Sequence, residues 1–368
     1  MEFVCTSKHL NSAYITALDV SGREHLVVIA KASWTIPVAG QRPRPLPPQP
    51  LLDADEYYGE PGESALRCGD DYARFKPRCD VIFDAVAHAP FGKSVKELDV
   101  GVQVGALQKV IRVTGARRWK SSLTGWGLSA AEPFTSMPLH FGLAFGGTRY
   151  YEQRGQKFAE ALFTNPVGQG WAGDKTRESM AGQAVANLAH PGAPIKRPDD
   201  SLSPIALSAI GRHWMPRAKL GGTYDDSWRR EVAPFLPEDF DVQFEQAASE
   251  DQQVPHLNGG EEVQLIHILR NQPKLHFTLP ILNQMKVRVL RKDFSTETLP
   301  AVADTLFFET EMQRFSVTWR ASTPIRRRIQ EFDTVAVGAV DPHWWHMKTM
   351  GLDVSGGCLG CAKESETT

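Results

Sequence analysis

With 30 glycines and 25 prolines spread through 368 residues, the chain is interrupted every few positions. Proline removes a backbone donor and fixes φ, and glycine is entropically costly inside either regular element. Few windows remain that could hold a long helix, so short strands joined by turns should dominate.

The hydrophobic periodicity agrees. Ala13–Val20 and His25–Ile36 flank the polar break Ser21-Gly22-Arg23-Glu24 and read as an antiparallel hairpin. Between Pro37 and Pro50 the prolines at 43, 45, 47, 48 and 50 are too dense for a sheet ladder, so that stretch should run extended over the surface. Asp80–His88, Lys96–Val104 and Leu107–Thr114 form a trio of strands. In the second, Leu98, Val100, Val102 and Val104 alternate with Glu97, Asp99, Gly101 and Gln103, which puts one face on a core and one in water. After Gly259-Gly260 strands resume at 262–268, 274–279, 285–290, 305–310 and 314–321.

Between these β regions the texture changes to aromatics among Gly, Pro, Asn and Asp. Two short helices are expected there, Asp225–Ala233 with a capping acid and Pro237–Ala248 with Phe240 and Phe244 four apart. The expected organisation is an N-terminal antiparallel β region at 1–132, an aromatic-rich loop and short-helix insertion at 133–258, a C-terminal β region at 259–340, and a mobile Gly-rich tail at 341–368. The fold class is mainly β: antiparallel sheets in a sandwich-like body. No internal repeat stands out.

Composition narrows the function. Lys plus Arg at 41 against Asp plus Glu at 43 leaves a net charge of −2, so no global field draws the chain to nucleic acid or anionic lipid. No run approaches the roughly 20 apolar residues of a membrane-spanning helix. The start lacks the pattern of a secretory signal, and five scattered cysteines do not make a disulfide framework, so a cytoplasmic location with reduced thiols is expected.

Three chemistries compete with plainer readings of the same residues. Cys358-Leu-Gly-Cys361 with His343 and His346 upstream has zinc-ligand residue types. No second CxxC supports it, and a free dithiol tail is preferred, so no metal and no cofactor are expected. The sets Asp80/Asp84/His88 and His213/Asp225/Asp226 could serve a hydrolase as acid and base. The first shares one face of a strand by parity and reads as a solvated surface. Nucleophile-elbow, phosphate-loop and dinucleotide-binding glycine motifs are absent. Arg326-Arg327-Arg328 and Arg117-Arg118-Trp119 could form a basic patch, which the overall charge balance disfavours.

Specific motifs then accumulate. Lys76–Lys93, Arg117-Arg118-Trp119, Pro133–Gly147 and Asn165–Gly170 are followed by Gly211-Arg-His-Trp-Met-Pro-Arg-Ala-Lys-Leu-Gly-Gly-Thr-Tyr-Asp-Asp-Ser-Trp228 and Phe235-Leu-Pro-Glu-Asp-Phe-Asp241. In order and spacing this resembles the bacterial family called domain of unknown function 2169, over residues 1–322. The resemblance implies a cytoplasmic, non-catalytic adaptor or chaperone of type VI secretion. Such a protein binds a toxic effector and helps load it onto the VgrG or PAAR spike. The residues marking the signature, Trp119, Phe134, Trp214, Tyr224, Asp225, Trp228, Asp239 and Phe240, read as structural. The large aromatics can bury on the order of 150–250 Å2 each and so hold a loop-rich region together, and Asp225 suits a helix cap. The alternative from another class is a secreted hydrolase toxin acting on a cell-wall or lipid substrate.

Overall fold

The computed structural model describes residues 1–123, 125–174 and 176–352. The protein is mainly β, with 40% of residues in strands and 10% in helices. Three sheets carry it. The central sheet has six strands in the order Gln253–Val254, Cys79–Asp84, Val302–Glu309, Arg314–Pro324, Glu24–Thr35, Asn11–Leu18. Its neighbours are antiparallel except Cys79–Asp84 with Val302–Glu309. A second, antiparallel sheet runs Leu188–Ala189, Leu107–Thr114, Glu97–Val104, Glu262–Ile266, Lys274–Thr278. A third joins the two ends of the described chain, pairing Glu2–Cys5 in parallel with Phe332–Val337 beside Lys286–Arg291 and Thr296–Pro300.

The three sheets share one apolar core. Val28, Val81 and Phe83 from the central sheet meet Val100, Ile111 and Leu265 from the second and Val289 and Val335 from the third. The alternation at Leu98, Val100, Val102 and Val104 faces this core, while Glu97 and Asp99 face water. Gly105, at φ +55°, opens the two-residue turn to the next strand.

The central sheet departs from simple alternation because both of its faces are buried. Ile82 and Phe307 turn away from the main core and meet Leu66, Cys68, Ala209, Ala247 and Ala248 of a covering layer. Polar residues on that face are therefore buried: Lys31, Asp80, Asp304, Thr318 and Arg320 are each 5% exposed or less. Burial at this depth demands partners. Lys31 binds Asp71 at 2.8 Å, Lys76 binds Asp80 at 2.8 Å, and Arg320 binds Asp304. Three cations meet three anions, and Asp80 reaches into the covering layer by accepting from Gln246 Nε2 at 2.6 Å and from the Ala247 and Ala248 amides at 2.8 and 3.2 Å. The reading of Asp80, Asp84 and His88 as a solvated strand face is thereby corrected. Periodicity registers polarity, and a second layer can bury it.

Other differences are local. The expected helix at 237–248 is only the single 3-10 turn Val242–Glu245, capped by Asp241. Asp226–Glu231 is helical, with Asp225 capping it as expected. Two hairpins were not foreseen, Trp119–Ser122 with Gly125–Leu128 and Thr148–Gln153 with Gln156–Ala161. The stretch read as a tail begins with the helix Pro342–Thr349, whose Trp344 packs on Val4, Ala336 and Val340.

The Pro-rich stretch is not wholly detached. Thr35 N donates to Arg44 O at 2.9 Å and Leu46 N donates to Ser33 O at 2.8 Å, so it lies along the strand Glu24–Thr35 beyond the point where Asn11–Leu18 ends. Even-numbered residues make these bonds, while Pro43, Pro45 and Pro47 occupy the alternate positions and offer no donor outward.

Candidate protein-binding groove

Asn11–Leu18 is the last strand of the central sheet and pairs on its inner side only, with Glu24–Lys31. Half of its backbone donors and acceptors therefore face outward. Its sequence, Asn-Ser-Ala-Tyr-Ile-Thr-Ala-Leu, contains no charge and no proline. Among the described residues, the other edges of the three sheets are blunted. Gln253–Val254 and Leu188–Ala189 are two residues long. Lys274–Thr278 presents Lys274 and His276, and Thr296–Pro300 carries Glu297 and ends in proline. Glu2–Cys5 is four residues and opens on an acid.

A groove of about 420 Å3 runs beside this edge. Ile15, Thr16, Ala17 and Leu18 all line it. Successive strand residues point to opposite faces, so four in a row mean that the groove follows the edge itself. Its far wall is Tyr224, Leu236, Phe240 and Phe244. A hollow of about 170 Å3 continues it around the hairpin end, where Leu236, Phe240 and Phe75 meet Ala17–Val20.

The wall is built from a segment with little ladder of its own. Asp225 Oδ1 accepts from Trp228 N at 2.8 Å and starts the helix Asp226–Glu231. Trp228 Nε1 donates to Phe235 O at 3.0 Å, and the Trp228 ring meets Tyr224 edge-on at 4.7 Å. Asp239 ties the far end back by accepting from Thr223 N at 2.9 Å and Thr223 Oγ1 at 2.7 Å. Between them Gly222 takes φ +79° with Pro237 packed against it, a place where a side chain would be strained. Phe235 then lies over Gly22, itself at φ +79°, and so docks the wall onto the hairpin that carries the free edge.

Charge is concentrated on the floor. Arg212 Nε binds Asp55 at 3.2 Å, its Nη2 binds Asp70, and Glu245 lies 3.9 Å from Nη1. Arg74 pairs with Glu245 at 2.8 Å and lies 5.2 Å from the Phe240 ring. Burial works against the Arg212 cation, but Asp55 and Asp70 outweigh it and raise its pKa above the ordinary arginine value. The floor is thus a set of fixed, mutually neutralising ions under an apolar wall. A bound segment would gain from apolar burial above and from backbone pairing at the side.

The signature residues divide between this groove and the interior. Tyr224 and Phe240 line the groove, with Asp225, Trp228 and Asp239 bracing them. Tyr224 is 55% exposed, so much of its ring is open to contact. Trp214 is buried, edge-on to Phe141 at 5.5 Å. Trp119 is buried in a separate cluster, donating from Nε1 to Gly170 O at 3.1 Å, and Phe134 bridges Val95. The numerous short strands of the sequence suggest exposed edges that could take a client segment, but sequence reading did not single out Asn11–Leu18, although its signal was visible as eight residues with neither charge nor proline.

The acid and base candidates for a hydrolase are placed differently. Asp84 is taken up by Arg67 at 2.7 Å and the Tyr58 hydroxyl at 2.9 Å, and His88 by Glu311 at 2.7 Å. His213 accepts from Trp214 Nε1 at 3.0 Å while Asp225 caps its helix, and no hydrogen bond joins the two among the described residues. Burial, reinforced by Asp71, pushes the Cys68 thiol up to about 12, and burial raises Cys79 well above its usual value, so both stay protonated at neutral pH. His343 and His346 lie one turn apart on the exposed side of Pro342–Thr349, and Cys358 and Cys361 lie outside the described residues. No three His, Cys, Asp or Glu side chains among the described residues are grouped to hold a metal. No helix among them is long and apolar enough to cross a membrane.

A mainly-β body with an aromatic-walled strand edge and a tightly braced signature segment defines the class. The chain matches, over residues 21–320, the family described as an uncharacterized protein conserved in bacteria, domain of unknown function 2169 (DUF2169), and it belongs to that family. No curated protein and no solved structure matches it.

Proposed function

We propose that this protein is a non-catalytic adaptor of type VI secretion that holds a toxic effector and helps deliver it to the VgrG or PAAR spike. The observation that carries the binding part of this reading is the open edge Asn11–Leu18 beside its aromatic groove. Sheet edges of this length and neutrality are a standing invitation to pair with another chain, and proteins usually blunt them. Here five edges are blunted and one is not, which suits a surface kept for a partner. The occupant is an extended segment of the client, hydrogen-bonded along Asn11–Leu18, with alternate side chains set against Tyr224, Leu236 and Phe240. The secretion role and the cytoplasmic location come from the family resemblance.

The test is capture of the products of neighbouring genes by the purified protein and by its Thr16→Lys variant. Thr16 is exposed, so the substitution should leave folding intact while placing a charge on the edge. We expect one client to co-purify at a defined ratio with the wild type and to be lost from the variant. Equal capture by both would refute the edge. Capture of no neighbouring product, together with turnover of a cell-wall or lipid substrate by the pure protein, would refute the adaptor reading itself.

A further inference from the structure

A larger cavity, about 720 Å3, lies between the helix Arg217–Leu220, the turn Val242–Glu245 and the segments at 203–210 and 249–253. Its size is in the range of ligand-binding clefts. Two buried cations line it, Lys109 and Arg217. Lys109 is fully engaged: Nζ donates to Gln252 Oε1 at 2.8 Å, to Asp251 Oδ1 at 3.0 Å and to Ser249 Oγ at 3.3 Å. Arg217 is not. It is 3% exposed, and its Nε and Nη1 donate to two backbone carbonyls, Phe244 O at 2.9 Å and Ile210 O at 2.7 Å. Among the described residues no carboxylate pairs with it and no acceptor bonds its Nη2. A buried guanidinium without a counter-ion is costly, and two carbonyls and the Phe244 ring at 5.6 Å offset that cost only in part.

From this geometry we propose that the cavity binds a carboxylate, held by the guanidinium of Arg217. The charges on the lining favour a monoanion over a dianion. Asp251 already neutralises Lys109, Arg217 has no carboxylate in hydrogen-bonding contact although Asp80, Asp55 and Glu245 act on it from farther away, and Glu250 and Asp251 on the lining would repel a phosphate dianion. The hydroxyls of Thr164 and Ser203 at the exposed side offer further donors. Burial first, and the nearby Arg212 charge second, bring Arg217 down to about 10, which leaves it a cation at neutral pH. The carboxylate can belong to a small organic acid or to a polypeptide, and the site does not depend on the edge strand having a client.

The experiment is calorimetric titration of the full chain at pH 7.5 with four probes: butyrate, the blocked tripeptide acetyl-Ala-Ala-Ala with a free C-terminus, the same tripeptide as its amide, and inorganic phosphate. Binding of either free carboxylate, with the amide and phosphate at least about tenfold weaker, is the expected result, since a charge-assisted contact of this kind is worth a tenfold change or more. Butyrate binding as tightly as the tripeptide acid assigns the site to small acids, and preference for the tripeptide acid assigns it to a polypeptide. Arg217→Gln should lose the binding. Because that residue also ties two loops together, Ser203→Trp, which fills the exposed side without disturbing the buried bonds, provides a second variant that should melt as the wild type does and bind no acid. Equal affinity for acid and amide, no binding of either acid to the wild type, or unchanged binding in folded Arg217→Gln or Ser203→Trp would each overturn the proposal.

Discussion

Arg212 and Arg217 both place their guanidinium carbons near the ring of Phe244, at 6.0 and 5.6 Å, yet one is surrounded by Asp55, Asp70 and Glu245 and the other meets only carbonyl oxygens. The same ring therefore neighbours one guanidinium held by carboxylates and one held by carbonyls. Removing the neutralised arginine should hurt in a definable way. Arg212→Met leaves three carboxylates facing each other beneath the groove, and with the side chain about one third exposed the expected loss is about 1–3 kcal/mol. Urea unfolding at pH 7 measures it.

Asp80 is the rivet between the central sheet and its covering layer. Asp80→Ala strands Lys76 in the interior and frees the Ala247 and Ala248 amides, and the expected cost is about 3–5 kcal/mol. The urea midpoint should fall accordingly. A change below about 1 kcal/mol would mean that the layer is held by apolar contact alone.

At the turn of the edge hairpin, partial burial works to raise the Asp19 pKa, but hydrogen bonds from the Ser21 hydroxyl, the Arg23 and Ser21 amides and His25 bring it down to about 2. A carboxylate depressed on folding contributes stability that is present above its unfolded value near 3.8 and lost as pH falls through about 2. Carboxyl NMR titration should place Asp19 there. Asp19→Asn should lower stability in the neutral region, flatten the acid limb of the stability curve between these two pH values, and leave stability below about pH 2 nearly unchanged.

Two signature aromatics should behave oppositely. Trp214→Ala empties a buried site and should cost about 3–5 kcal/mol. Tyr224→Ala should cost at most about 1.5 kcal/mol, from the lost edge-on contact with Trp228, because the residue is 55% exposed. If the groove binds a client, Tyr224→Ala weakens capture without lowering expression. Thermal melts beside the pull-down separate the two effects.

Strand identity was legible wherever one face met water, as at Glu97–Val104, since alternation records a half-buried element directly. The central sheet was harder to place because Lys31, Asp80, Asp304 and Arg320 lie under a layer supplied by distant segments, and their pairing with Asp71 and Lys76 has no local signature beyond the spacing of Lys76 and Asp80. The region 237–248 carried helical spacing of Phe240 and Phe244, but those rings pack against Arg74 and Arg217 instead of a common helical stripe. Of the groove, sequence supplied the aromatic wall and the Asp225 cap. It could not supply the juxtaposition, which depends on Phe235 seating over Gly22 more than 200 positions away.

The proline-studded stretch has a consequence for whatever pairs with the free edge. Along Glu24–Thr35 the outermost position passes from Asn11–Leu18 to a run in which Pro45 bridges Trp34 and Pro43, Pro45 and Pro47 supply no donors. An incoming strand can zip along eight residues and then meets a backbone that cannot answer it. If a client pairs there, the body would act as a gauge, setting how long a stretch of that chain is gripped and where it must turn aside.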